Sequence, residues 1–132
     1  HRSRDLISVA EKIVWKHDGE VPSNYDDLVV LPGVGDYVAT FTLTVGHGQS
    51  HPIMDSITSR VISRLGASPR FVGRKPEFEQ EFRRLLGRGF EEALHYAMID
   101  LARYFCLPEA PKCESCPLMV RCAGEGECRK PK

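Results

Sequence analysis

The sequence predicts an all-α protein, and three observations support this prediction. Apolar residues recur every three or four positions along most of the chain, as they do on one face of an α-helix. Glycine or proline follows each of these stretches, where a helix would end. No segment alternates apolar and polar residues with the period of two that is typical of a half-buried strand. We therefore expect helices joined by loops.

Two helices are predicted before the first Pro-Gly pair. The first covers residues 5–17 and stops before Gly19. Its apolar face is formed by Leu6, Val9, Ala10, Ile13 and Val14. The second helix begins at Ser23, whose spacing from Asp26 resembles a capping box, and ends before Pro32.

Two further helices are predicted in the middle of the chain. One begins near Asp36 and ends at Gly46. The other is opened by Asp55, an aspartate in the position of an N-cap, and reaches Leu65. Gly66 then stands where a left-handed C-terminal cap belongs.

The last two helices are predicted in the second half of the chain. Pro76 starts one of them, and Gly87 ends it. The final helix has the clearest pattern, because eight apolar residues keep a strict spacing of three and four, so nearly all of them should be core. These residues are Phe90, Ala93, Leu94, Ala97, Met98, Leu101, Ala102 and Phe105.

Composition sets limits on the class of protein. The chain has 132 residues and a formal net charge of zero, with no apolar run approaching membrane length. We expect a soluble, cytoplasmic monomer without a signal peptide. The first residue is His1, not Met, so we expect the chain to begin inside a larger protein. Charge is uneven, since residues 18–36 hold five acids and no Lys or Arg, whereas residues 60–88 hold eight bases.

Four of the five cysteines lie within residues 106–122. They are separated by six, two and five residues, in the order Cys106, Cys113, Cys116 and Cys122. Four thiolates spaced in this way can hold one metal centre, and spacing alone allows either structural zinc or a four-iron cluster. Disulfides are the alternative, but they are uncommon in an intracellular protein. Cys128 is given no role.

The stretch Leu31-Pro32-Gly33-Val34-Gly35 joins two helices by a very short turn. Glycine lets a backbone or a phosphate approach closely, and the helix that follows begins with unpaired amides. A tight corner between helices, with no ligand, explains the same residues. Asp55 alone is explained as an N-cap, and Tyr37 alone as a helix residue that stacks on the turn.

Together, the cysteine spacing, the glycine turn and the aspartate twenty residues beyond it resemble the helix-hairpin-helix DNA glycosylase superfamily. The resemblance covers nearly the whole chain and is greatest to endonuclease III and to the adenine and thymine mismatch glycosylases. It implies a partial glycosylase fold with a C-terminal iron-sulfur loop. Residues 1–66 would form the helix-hairpin-helix part, without its N-terminal helices, and residues 67–132 the helical cluster domain.

The resemblance also implies roles for individual residues. Cys106, Cys113, Cys116 and Cys122 would bind a [4Fe-4S] cluster. The partner would be double-stranded DNA of the nucleoid that contains a mismatched or damaged base. The residues that would contact it are Leu31, Gly33, Val34, Gly35 and Arg60. A monovalent cation is a further expectation at the turn. Asp55 would stabilise the positive charge that builds on the sugar while the base leaves.

Tyr37 decides which chemistry the resemblance implies. It stands where bifunctional members carry the lysine that forms a Schiff base, and a phenol cannot form that imine. We therefore expect a monofunctional enzyme of base excision repair that removes thymine or uracil opposite guanine. Removal of adenine opposite 8-oxoguanine or guanine, and an endonuclease III-like glycosylase and lyase, are the alternatives within the family.

Two departures from the family pattern leave other classes of protein open. Asp36 replaces a residue that is often basic, and Ile57 replaces an Asn that is common two positions after the aspartate. A noncatalytic DNA-binding module would tolerate both changes. A zinc-stabilised helical interaction domain is the second alternative, and the colour of the protein separates it from an iron-sulfur protein.

Overall fold

The computed structural model describes residues 2–66 and 75–124, and in these ranges it contains six α-helices and no strand. The all-α prediction is therefore confirmed. The chain divides into two compact units, His1–His51 and Pro52–Lys132, while the domain boundary expected after residue 66 stays a prediction. Among the described helices, none is long and apolar enough to cross a lipid bilayer.

The first unit contains three α-helices and a π-helical turn. They are α1 (Arg2–Lys16), α2 (Tyr25–Val29), α3 (Asp36–Phe41) and the turn Thr42–Gly46. In that turn, the His47 N–H donates to the Thr42 carbonyl oxygen at 3.2 Å, five residues back. The regular helix predicted up to Gly46 is therefore wider in its last turn.

A small apolar core holds the first unit together. Its buried members are Leu28, Leu31, Ala39 and Leu43, and Val9, Ile13, Tyr25, Val29 and Val34 pack against them. Gly19 ends α1 as predicted, because it has a φ of +83° and its N–H donates to the Ile13 carbonyl oxygen at 3.0 Å.

The N-cap of α2 is Asn24, so the capping box predicted from Ser23 to Asp26 is wrong by one residue. The Asn24 Oδ1 atom accepts a hydrogen bond from the Asp27 N–H at 2.9 Å, and the Asn24 backbone is extended. Ser23 contributes its carbonyl oxygen instead, to the Gln49 Nε2 group at 2.7 Å. Ser and Asn are both good N-cap residues, so the sequence alone does not choose between Ser23 and Asn24. In the structure Asn24 is the N-cap, and Ser23 binds Gln49 through its carbonyl oxygen.

The second unit is built on three longer helices. They are α4 (Ser56–Gly66), α5 (Lys75–Leu86) and α6 (Glu91–Tyr104), followed by single 3₁₀ turns at Cys113–Ser115 and Met119–Arg121. Their buried core consists of Val61, Ile62, Phe78, Phe82, Met98 and Ala102. The rings of Phe78 and Phe82 lie 5.9 Å apart between centroids.

Helix α6 buries a different face from the predicted one. Its buried residues are Glu91, His95, Met98 and Ala102. Phe90 is 68% exposed, and Ala93 and Ala97 are exposed as well, so the prediction that nearly all of the stripe is core is wrong. The reason lies at Glu91, whose carboxylate accepts from the Gly89 N–H at 2.9 Å and lies 3.6 Å from Arg83 Nη1. These two contacts hold the Glu91 side chain on the buried face of α6.

Gly66 is not a left-handed cap, which corrects a second prediction. It lies in the last turn of α4 and is not among the described glycines with positive φ. A Cβ atom there would overlap the Glu81 Oε1 atom. That carboxylate is paired with Arg84 through bonds of 2.8 and 2.6 Å, so a larger residue at position 66 would have to displace this pair on α5.

Candidate active site and metal-binding loop

The residues predicted to contact DNA lie in both units. The hairpin turn, residues 31–35, belongs to the first unit, and Asp55, Arg60 and the cysteines belong to the second. Within the hairpin turn, Leu31 is 5% exposed and Val34 packs on the same core. The Val34 N–H donates to the Leu31 carbonyl oxygen at 3.2 Å and closes the turn.

The two glycines of the hairpin turn have different surroundings. Gly33 has a φ of +71°, and a Cβ atom on it would lie 3.2 Å from the Asp5 Cβ, so backbone and packing both favour glycine. Gly35 has a φ of −100°, and a Cβ atom there would meet no heavy atom within 4 Å. The surface at Gly35 is therefore open, as the approach of a phosphate would require.

Acidic side chains border the hairpin turn. The Tyr25 hydroxyl donates to the Asp36 Oδ1 atom, which orients this carboxylate in the first turn of α3. Asp5 lies against Gly33. The negative charges of Asp5 and Asp36 oppose the binding of a DNA phosphate here, whereas backbone N–H groups would favour it.

Tyr37 packs within its own helix. Its ring lies 5.9 Å from that of Phe41, one helical turn further on, with an angle of 38° between the planes. The side chain is 43% exposed. The structure thus gives Tyr37 a helical packing partner, and a role in the base pocket stays a prediction.

Asp55 is the N-cap of α4, and its carboxylate is held through a single oxygen. Its Oδ1 atom accepts hydrogen bonds from the Ile57 and Thr58 N–H groups at 2.8 and 2.7 Å. The Asp55 N–H donates in return to the Thr58 Oγ1 atom at 2.9 Å. This reciprocal pair is a capping box with threonine in the position usually held by Glu or Gln.

The imidazole of His95 interacts electrostatically with the carboxylate of Asp55. It lies on α6, is 1% exposed and contacts the Tyr96 ring. Burial lowers the pKa of His95 from its ordinary value of 6.5, and the negative charge of Asp55 opposes part of that shift. The imidazole is therefore mostly neutral at pH 7.

Two arginines of α4 bind the start of the cysteine loop, which we define as residues 106–122. The Arg60 Nε group donates to the Cys106 carbonyl oxygen at 3.1 Å. Arg64, only 9% exposed, donates to the carbonyl oxygens of Leu107 and Pro108 at 2.6 and 2.8 Å, and its Nη1 lies 3.4 Å from the Cys106 sulfur. Arg60, predicted to contact DNA, is thus also a support for this loop.

The far end of the cysteine loop returns to the same helix. The Cys122 thiol donates to the Arg64 carbonyl oxygen at 3.4 Å, and the Ala123 N–H donates to the Leu65 carbonyl oxygen at 3.0 Å. A Cβ atom on Gly124 would lie 2.6 Å from the Arg64 carbonyl oxygen, so only glycine fits here. Both ends of the loop are therefore fixed against the last turns of α4.

Three cysteines of the loop, Cys106, Cys116 and Cys122, are free thiols. In residues 2–66 and 75–124, no three His, Cys, Asp or Glu side chains form a group that could hold a metal ion. A four-iron cluster differs from a single metal ion in its ligand geometry, because each thiolate binds a separate iron atom. The donor type and the anchored loop suit such a cluster, although the ligands are not gathered around one point.

Two residues of this region were missed by the sequence prediction of the site. Thr58 had a usable signal, because its spacing of three from Asp55 is that of a capping box. The support that Arg64 gives to the loop had no local signal, since the carbonyl groups it binds lie more than forty positions away in the sequence. Only the fold brings them together.

Comparison with known proteins identifies the family. No protein-family model matches the chain. The chain is 31% identical to endonuclease III of Bacillus subtilis over 132 residues, which are 100% of this chain and 59% of that protein. It is 35% identical to a thymine/uracil-DNA glycosylase of Pyrobaculum aerophilum over 123 residues, which are 89% of this chain and 53% of that protein.

Solved structures agree with these relatives. A non-covalent endonuclease III–DNA complex superposes with a TM-score of 0.78 at 30% identity, covering 93% of this chain and 57% of that one. The chain belongs to the helix-hairpin-helix DNA glycosylase superfamily. A thermostable thymine-DNA glycosylase gives a TM-score of 0.83 at 25% identity, covering 96% of this chain and 59% of that one. The chain thus spans between 53% and 59% of the length of these glycosylases.

Proposed function

We propose that the chain belongs to a DNA N-glycosylase of base excision repair, which hydrolyses the N-glycosidic bond of a flipped-out base. The observation that carries the proposal is the geometry of Asp55. Helix α4 fixes one oxygen of its carboxylate, while Oδ2 has no hydrogen bond to any of the residues that the structure describes. A carboxylate held in this way can face a sugar that becomes positively charged. Membership of the glycosylase superfamily supports this assignment.

The reaction requires Asp55 to act on the sugar and on water. The bond between C1′ and the base nitrogen breaks, its electron pair leaves with the base, and the base takes up a proton. Water then bonds to C1′ and gives a proton to the Asp55 carboxylate, which releases it to solvent. The negative charge of Asp55 stabilises the cationic sugar between these two events.

The substrate we propose is thymine or uracil opposite guanine. Tyr37 supports a monofunctional enzyme, because a phenol cannot form the Schiff base of a lyase. The relative named as a thymine/uracil-DNA glycosylase supports this substrate class. Adenine opposite 8-oxoguanine, or a glycosylase and lyase like endonuclease III, is the alternative, and rates of base release from a panel of defined mismatches would rank them.

DNA binding is assigned mainly to the hairpin turn. The open surface at Gly35 and the N–H groups that begin α3 would bind a backbone phosphate, and a monovalent cation held by nearby carbonyl groups would add to that contact. Arg60 uses its Nε for the Cys106 carbonyl oxygen, so only its terminal nitrogens would be available for DNA.

A [4Fe-4S] cluster is proposed at Cys106, Cys113, Cys116 and Cys122. Their spacing supports this, as do the three free thiols and the attachment of both loop ends to α4. When bound, the cluster would supply four iron–thiolate bonds that hold in one shape a loop in which no residue is fully buried.

Replacement of Asp55 by asparagine tests the proposed function. Asparagine is as good an N-cap as aspartate, so Asp55→Asn keeps the fold of α4 and removes only the charge. The purified glycosylase that contains this chain should release free base from at least one duplex with a defined mismatch, and its Asp55→Asn variant should release none. Asp100→Asn, which removes an exposed carboxylate from α6, is the matched control and should retain full release. Normal release by Asp55→Asn would disprove the assignment.

A noncatalytic DNA-binding module is the second candidate function. The carboxylates of Asp5 and Asp36 at the hairpin turn, together with Ile57 in place of a polar residue, favour it. Binding to a duplex with an abasic-site analogue, combined with no base release from any mismatch, would establish this function.

A further inference from the structure

Thr58 has an unusual combination of burial and bonding for a hydroxyl group. The residue is 0% exposed on the core side of α4. Its Oγ1 atom lies 3.0 Å from the Ile53 carbonyl oxygen, 2.9 Å from the Asp55 nitrogen and 3.1 Å from Asp55 Oδ1. A buried hydroxyl costs free energy unless it is bonded, so these contacts explain why a polar side chain occupies this place.

Counting donors and acceptors limits where the hydroxyl proton of Thr58 can lie. A threonine hydroxyl has one proton to donate and two lone pairs that accept. Oγ1 accepts from the Asp55 N–H, which leaves its own proton for the Ile53 carbonyl oxygen, for Asp55 Oδ1 or, at 3.4 Å, for the Asp55 carbonyl oxygen. In each case one hydroxyl joins the segment before α4 to the first turn of that helix.

These hydrogen bonds determine which carboxylate oxygen of Asp55 is accessible to a substrate. Oδ1 is surrounded by the Ile57 N–H, the Thr58 N–H and the Thr58 hydroxyl. The carboxylate therefore cannot rotate without losing bonds at Oδ1, and Oδ2 stays as its accessible acceptor. The segment behind it is equally fixed, because Pro52 and Ile53 are both buried.

We propose that Thr58 is a positioning residue for Asp55 and orients its Oδ2 atom toward the reacting sugar. The inference rests on the proposed catalytic role of Asp55, and it adds a specific cause for the orientation of that carboxylate. Thr58 touches neither base nor sugar. Its substitution should therefore change the rate of the chemical step and leave DNA binding unchanged.

Three variants test this inference. Thr58→Val keeps the shape and removes the hydroxyl, and Thr58→Ser keeps the hydroxyl. Thr44→Val is the matched control, because the Thr44 Oγ1 atom is also buried and donates to the His51 carbonyl oxygen at 2.8 Å in the first unit. Two quantities are measured for each purified variant: the single-turnover rate of base release, and the dissociation constant for a duplex with an abasic-site analogue.

We expect Thr58→Val to slow base release by about 10- to 100-fold, with its dissociation constant within about twofold of wild type. Thr58→Ser should retain a rate within about threefold, and Thr44→Val should match wild type. Hydrogen exchange gives a readout without catalysis: the Asp55 amide should exchange faster in Thr58→Val and not in Thr58→Ser.

The results also separate this inference from the proposed function. If Asp55→Asn is inactive and Thr58→Val releases base at the wild-type rate, the positioning role is wrong and the function of Asp55 stands. If Thr44→Val loses as much rate as Thr58→Val, the effect belongs to general stability and the inference fails. If Asp55→Asn retains full activity, the proposed function itself is wrong.

Discussion

The Arg64 guanidinium donates a 2.6 Å hydrogen bond to the carbonyl oxygen of Leu107, the residue that follows the first cysteine of the loop. The same group reaches the next carbonyl oxygen and lies beside the Cys106 sulfur, while the Arg64 backbone accepts from Cys122. One residue of α4 therefore holds both ends of the cysteine loop. The fixed positive charge also lies where a thiolate would be formed.

Replacing Arg64 by lysine should loosen the cysteine loop. Lysine keeps the charge but cannot donate in several fixed directions, so the free energy of unfolding should fall by about 2 kcal/mol or more. Chemical denaturation measures this loss, and the iron bound per protein molecule should fall with it. Arg103→Lys is the control, because Arg103 is exposed and its guanidinium lies over the neighbouring Tyr104 ring, 5.8 Å from the ring centroid. Equal stability of the two variants would contradict the role given to Arg64.

The two glycines of the hairpin turn should respond differently to alanine. Gly33→Ala forces a side chain into a φ of +71° and against Asp5, so it should destabilise the first unit by about 1–2 kcal/mol. Gly35→Ala has room and an ordinary φ, so its stability should stay near wild type. If a phosphate binds at Gly35, the added methyl group should weaken affinity for duplex DNA. Thermal unfolding and a DNA titration measure the two effects, and unchanged affinity of Gly35→Ala would remove the hairpin turn from the DNA contact.

Metal content separates the iron-sulfur loop from the zinc alternative. Protein purified without oxygen should be brown and contain about four irons per chain if the cluster is present. Cys122→Ser should lose the iron and the colour, and Cys128→Ser, which replaces the cysteine outside the predicted set, should keep both. A colourless wild-type protein with one zinc would show that the loop is a zinc site.

Helix positions were predictable from the sequence because glycine and proline act locally. Gly19 ends α1 through its own φ, and the apolar residues that pack α4 and α5 stand at helical spacing. Local rules also place Asp55 at an N-cap, and the structure has it there. The same rules cannot distinguish two neighbouring residues that are equally good N-caps. The prediction therefore placed the N-cap of α2 at Ser23, whereas the structure has it at Asn24.

The buried face of α6 and the support of the cysteine loop were not predictable in the same way. Glu91 turns inward because Arg83 and Gly89 are placed to receive it, and no property of the α6 sequence alone reveals this. His95 likewise occupies a core position, although the predicted apolar stripe of this helix does not include it. Such polar anchors depend on partners supplied by other elements, which a helical repeat does not encode.

His95 gives the final prediction, a dependence of stability on pH. Burial holds the pKa of the folded imidazole below the value of 6.5 that the unfolded chain has, although the Asp55 charge offsets part of this. Between those two pKa values the unfolded state binds more protons, so stability should fall as the pH drops below about 6.5 and should be unaffected above it. His95→Gln removes the titration. The difference in Tm between wild type and His95→Gln should therefore shrink as the pH is lowered from about 7.5 to about 5.

The control for this measurement is His47→Gln, which removes an exposed imidazole from the first unit. It corrects for the loss of a histidine elsewhere in the same protein. If the Tm curves of wild type and His95→Gln run parallel over the whole pH range, the buried His95 is not the titrating group. In that case the acid sensitivity of the second unit would have to come from other residues.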